Sequence, residues 1–104
     1  MIHIKTKYIN ELGYIERGKY GNGKTALILM SAHNDTLTVA TVNLPKIDLK
    51  EDQVIIKDYS ENEGVREFLE YHNIVEGTGI IIQPGFAQLE VCKLLPENEW
   101  DLKK

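Results

Sequence analysis

The sequence predicts an α+β fold: a mainly antiparallel, strongly twisted sheet of five to seven strands with one helix packed on a face. Three observations lead there. Two apolar runs, residues 25–33 and 36–44, follow each other closely, and both alternating faces of each are apolar. A single stretch, near residues 61–72, repeats its apolar residues at helical spacing. Turn chemistry separates the apolar runs, at Asn22-Gly23, Asn34-Asp35 and Pro84-Gly85.

Residues 2–8 alternate as a strand does, with Ile2, Ile4, Thr6 and Tyr8 on one face and His3, Lys5 and Lys7 on the other. Leu12 to Arg17 suits a second short strand, and Gly18 to Lys24 a turn. The runs 25–33 and 36–44 then read as an antiparallel hairpin at the sheet centre, with Pro45 ending it because proline has no N–H for the ladder. Residues 46–52 are a polar, acidic loop, and Val54 to Lys57 a short strand. Ser60 and Glu63 match a capping box, so the helix is expected over about 61–72, with Val65, Phe68, Leu69 and His72 on its buried stripe. Gly64 in its first turn moves the start toward residue 63. Ile80–Ile82 and Phe86–Leu95 flank the Pro84-Gly85 turn as a closing hairpin. Residues 96–104 form a loosely ordered tail unless Trp100 docks.

The 104 residues suit one domain with a core that needs no cross-link. The lone Cys92 excludes an internal disulfide and reads as a small, half-buried side chain. No signal-peptide h-region or membrane-length apolar run is visible, which points to the cytoplasm. The net charge of −4 is unevenly spread. Residues 1–47 carry six bases and three acids, net +3; residues 48–104 carry six bases and thirteen acids, net −7. Such a half disfavours nucleic acid and anionic membranes, and it suits either plain solubility or a basic partner.

Gly18 to Thr25 satisfies the spacing of a P-loop, in which Gly23 would cradle phosphate, Lys24 meet the β/γ oxygens and Thr25 hold magnesium. That chemistry needs a buried strand before the loop and a helix directly after it. Here the preceding segment is short and half polar, and the following one reads better as a strand. A chain with one helix also lacks the crossovers of a parallel nucleotide-binding sheet. Ser31, His33 and Asp35 on one strand face would stand about 6.8 Å apart in turn, too far for a hydrogen-bonded triad. His3, His33 and His72 have no metal-ligand spacing. No metal or other cofactor is expected.

Thr41-Val42-Asn43-Leu44-Pro45, then Ser60-Glu61-Asn62-Glu63-Gly64 and a helix with Phe68-Leu69, resembles a family of short uncharacterised proteins from bacterial phages, plasmids and conjugative elements. The similar stretch spans roughly residues 25–94. The resemblance implies a mobile-element accessory protein of a kind that acts on host machinery, defence nucleases included. It carries no catalytic residues, and the Gly-Lys-Thr match lies outside its pattern.

The leading expectation is a non-enzymatic module binding a host or element-encoded protein. Its surface would be Glu63, Glu67 and Glu70 of the helix with Asp48, Glu51 and Asp52 of the acidic loop. The alternatives are a nucleotide-binding enzyme using Gly23, Lys24 and Thr25, and an assembly protein pairing through a sheet edge.

Overall fold

A computed structural model of the chain describes all 104 residues. Its strands are β1 (Ile2–Lys5), β2 (Asn10–Lys19), β3 (Thr25–Ser31), β4 (Thr36–Val39), β5 (Gln53–Ile55), β6 (Val75–Ile82) and β7 (Leu89–Leu94). One α-helix, α1 (Val65–Tyr71), lies between β5 and β6. The strands form two antiparallel sheets, ordered β1-β2-β3-β4 and β5-β7-β6. The α+β class and the antiparallel character are therefore as the sequence implies, with the strands divided between two sheets.

A short seam joins those sheets just past β4. The Ala40 N–H donates to the Leu27 carbonyl on β3 at 2.8 Å, while the Ala40 carbonyl accepts the Lys57 N–H at 2.8 Å. The Val42 N–H reaches the Ile55 carbonyl at 2.9 Å, and Thr41 faces Ile56 in an antiparallel bridge. Thr41 is buried, and its hydroxyl accepts the Leu27 N–H at 3.3 Å and pairs with the Tyr20 hydroxyl at 2.7 Å. A buried polar residue is thereby satisfied at the point where the two sheets join.

The main core is shared by the two sheets and α1. Ile2, Ile4, Leu27 and Leu29 enter it from the first sheet, Val54, Val75, Cys92 and Leu94 from the second, and Val65, Phe68 and Leu69 from α1. Each fully buried leucine or isoleucine contributes about 1.5–3 kcal/mol. A smaller cluster of Ile55, Leu89 and Val91 occupies the other face of the second sheet. It is roofed by Val42, Leu44, Ile47 and Leu49 of the loop after the seam. β7 is consequently covered on both faces, and its residues alternate between the two clusters.

Several local expectations are corrected. The strand covered on both faces in the first sheet is β3, whereas β4 is four residues long and lies at the sheet edge, partly exposed. The capping box does not form. Ser60–Asn62 is a 3-10 turn with Ser60 at φ 53°, and Gly64 at φ 93° breaks it from α1. Asp58 caps the helix in place of Ser60, its Oδ1 accepting the Gly64 and Arg66 N–H groups at 3.0 and 3.1 Å. The helix, 65–71, starts no earlier than Val65 because Gly64, free to take φ 93°, leaves the right-handed helical conformation there. β6 begins at Val75, not Ile80, since a bulge between Gly77 and Ile80 carries the strand through Gly-Thr-Gly. Trp100 does dock: it packs on the main core and its Nε1–H donates to the Leu95 carbonyl at 2.8 Å.

At Gly13 on β2 the chain has no room for a side chain. A Cβ there would lie 2.0 Å from the Met30 carbonyl oxygen and 2.8 Å from Ile4 Cδ1. Gly13→Ala should therefore lower the free energy of unfolding by about 2–3 kcal/mol. Urea titration measures it, and a loss below about 0.5 kcal/mol would show that the strands spread freely.

Candidate functional site

The Gly18–Thr25 segment is a β-hairpin connection. Gly18 and Lys19 end β2, Thr25 begins β3, and the Tyr20 N–H and Lys24 carbonyl close the turn at 2.8 Å. A strand follows the turn, so the amides do not gather at a helix N-terminus as phosphate binding of the P-loop type requires. Lys24 is already engaged: its ammonium donates to the Leu44 carbonyl at 2.8 Å and also to that of Ile47. It thus holds the loop that roofs the smaller core. The Gly23 N–H donates to the Tyr20 carbonyl at 2.9 Å, closing the same turn. Gly23, Lys24 and Thr25 are together, but in a structural arrangement.

The acidic residues fall into two separate groups. Glu51 and Asp52 border a cleft with Arg17 and Lys19 near the β2–β3 hairpin. Glu63 and Glu67 border another, between β1 and α1. Basic partners offset much of the helix charge. Lys7 pairs with Glu63 at 3.0 Å, and Arg66 with Glu70 at 3.0 Å and Glu90 at 2.9 Å. The Gly79 N–H, and Arg66 after it, hold the Glu90 carboxyl below its ordinary range. Asp48, Glu51, Asp52 and Glu67 form no ion pair.

The remaining reactive side chains have structural surroundings. Ser31 is buried and its Oγ accepts the His33 and Asp35 N–H groups at 3.1 Å each, closing the β3–β4 turn. His72 is buried between the Phe68 and Tyr71 rings, with Nδ1 donating to the Asp101 carbonyl at 2.8 Å. Burial pushes the Cys92 thiol up to about 11, Arg66 opposing the shift. No cluster of three or more His, Cys, Asp or Glu side chains is placed to hold a metal ion. No helix is long and apolar enough to cross a membrane.

What the charge count overlooks is an apolar edge. β6 is the outer strand of its sheet, with Ile80 and Ile81 about half exposed at 52% and 49%. The loop that follows it presents Phe86 fully to solvent. Beside that loop, Pro84 meets Leu44, Pro45 and Ile47 in a small apolar hollow. The signal was present in the sequence: from Gly77 to Leu89 there is no charged residue. Natural edge strands are usually blunted by charge, and beyond Glu76 only the bulge does so here.

Comparison with known proteins adds no relative: no family model matches the chain, and neither a curated protein nor a solved structure does.

Two outcomes follow from these surroundings. Lys24→Met should cost about 1–2 kcal/mol by leaving loop carbonyls unpaired. Saturating ATP with magnesium should leave the melting midpoint unchanged, whereas ligand at a hundred times its Kd would add about 2.7 kcal/mol. For Cys92 the folded pKa lies above the ordinary 9.0. Its contribution is therefore complete below pH 9 and is lost as pH rises to about 11, at up to about 1.4 kcal/mol per pH unit. Denaturant titrations across that range should show a steeper loss for the native chain than for Cys92→Ala; equal slopes would place the thiol in contact with water.

Proposed function

We propose that the chain is a non-enzymatic protein-binding module of a mobile genetic element, acting in the cytoplasm on a host or element-encoded protein. Inhibition or modulation of a defence protein is the role that its sequence resemblance favours. The observation that carries the reading is the exposed stretch of the β6 edge with Ile80 and Ile81, continued by the Phe86 loop, which carries no charge from Gly77 to Leu89. An unpaired strand edge offers main-chain hydrogen bonds, and its flanking apolar side chains supply burial. Support for the acidic helix face is weaker, because Glu63 and Glu70 are already paired.

The same edge favours a second reading, assembly between copies of the chain, since two Ile80–Ile82 stretches carry no charge and meet without repulsion. A nucleotide-dependent enzyme has only the spacing of Gly23, Lys24 and Thr25 in its favour.

Affinity capture from host lysate distinguishes these readings when run with two variants. Ile81→Lys should abolish capture of a stoichiometric partner, while Glu67→Lys/Glu70→Lys should retain it and high salt should not release it. The reverse pattern would return the contact to the acidic face. A mass that doubles with concentration in the isolated protein would identify self-assembly.

A further inference from the structure

The first sheet also has an open edge strand, β1. In an antiparallel ladder, both main-chain groups of a residue point to the same neighbour. Leu12 on β2 gives its carbonyl to Ala32 at 3.1 Å, on the β3 side. His3 stands opposite Leu12, and Lys5 two residues on stands opposite Asn10, so both direct their main-chain groups away from β2. The neighbouring residues agree with that alternation. Thr6 turns inward, its N–H donating to the Ile9 carbonyl at 2.9 Å, and Lys7 turns outward, donating to the Glu63 carbonyl at 3.3 Å. The Glu63 carbonyl thus occupies the first position of a strand-pairing line along β1. The His3 and Lys5 N–H groups, next on that line, have no partner within the chain.

These groups border an open cleft of about 710 Å³ between β1 and α1. Phe68 and Tyr71 give it an aromatic wall, and Tyr71 is 58% exposed. Its charges are mostly spent: Asp58 caps α1 and Glu63 pairs with Lys7. The Lys104 ammonium pairs with Asp101 and lies 4.7 Å from the centre of the Tyr71 ring, leaving the rest of that side chain open. Lys5 and Glu67 are left without ion pairs.

We infer that this cleft binds an extended segment of a partner protein, added as a strand along His3 and Lys5 with alternate side chains against Tyr71. The occupant is fixed by what the edge presents. Outward main-chain groups at every second residue match an extended backbone and not a helix, whose N–H and C=O groups are internally paired. The preferred segment places an apolar side chain at the aromatic wall and an acidic one beside Lys5. This surface is separate from β6, and the inference does not depend on the function proposed above.

Proline at position 5 provides the test. Lys5→Pro deletes an outward N–H while leaving the β1–β2 bonds intact, and an edge strand tolerates proline in that orientation. Random dodecapeptides displayed on phage, selected on the intact protein, serve as the probe. Selected peptides should bind Lys5→Pro at least about tenfold more weakly, and Lys5→Ala within about threefold of the native chain. Amide exchange on the native protein gives an independent reading should Lys5→Pro fail to fold: peptide should slow exchange at His3 and Lys5. No enrichment, equal binding to Lys5→Pro, or unchanged exchange at those two amides would overturn the inference. Exchange that slows with protein concentration alone would assign the edge to a second copy and overturn it as well.

Discussion

The fold depends on the seam at Ala40–Val42. Three backbone hydrogen bonds there reach β3 on one side and the β5 segment on the other, so one short stretch serves both sheets. Ala40 is fully buried between them, which leaves space for little beyond a methyl group. Thr41 adds a hydroxyl that ties β3 to the Tyr20 turn. With the seam in place, the second sheet is held across the first and encloses the core, and the loop after it is positioned to roof the smaller cluster. Lys24 then secures that loop from the hairpin side.

Local patterns were legible in the sequence, and pairings between distant segments were not. The helical stripe of Val65, Phe68, Leu69 and His72 is buried as its spacing implies, because a helix face is set by residues a few positions apart. Asn22-Gly23 and Asn34-Asp35 mark turns for the same reason. The split into two sheets has no local signature, since Thr41 meets Ile56 only after the intervening loop has folded back. Ser60 has the capping spacing, but the left-handed Gly64 sets the helix start where the Asp58 carboxylate, seven residues before Val65, accepts instead. Gly77-Thr78-Gly79 resembles loop chemistry and becomes strand only through its bulge against β7.

The candidate surfaces show the same division. Counting acids located the charge but not its compensation, because Lys7 and Arg66 lie in other parts of the chain or pair across elements. The P-loop spacing is a genuine pattern of residues whose backbone happens to be a hairpin, so glycines that could have cradled phosphate close a turn. The apolar edge was recoverable in principle, since a thirteen-residue stretch without charge is conspicuous in a chain with 27% charged residues. Reading it required knowing that β6 lies outermost.

The bulge in β6 also bears on polymerisation. A fold with β6 and β1 both at sheet edges risks joining the β6 of one copy to the β1 of the next, a head-to-tail contact that never closes and grows as a fibre. β1 presents outward groups at strict two-residue intervals. In β6 that interval is interrupted between Gly77 and Ile80, where Thr78 Oγ donates to the Val91 carbonyl and Glu90 accepts the Gly79 N–H. The outward groups of the two edges therefore do not keep the same spacing along their length. This mismatch of rhythm works against endless sheet growth where the Ile80–Ile82 stretch carries no charge to do so.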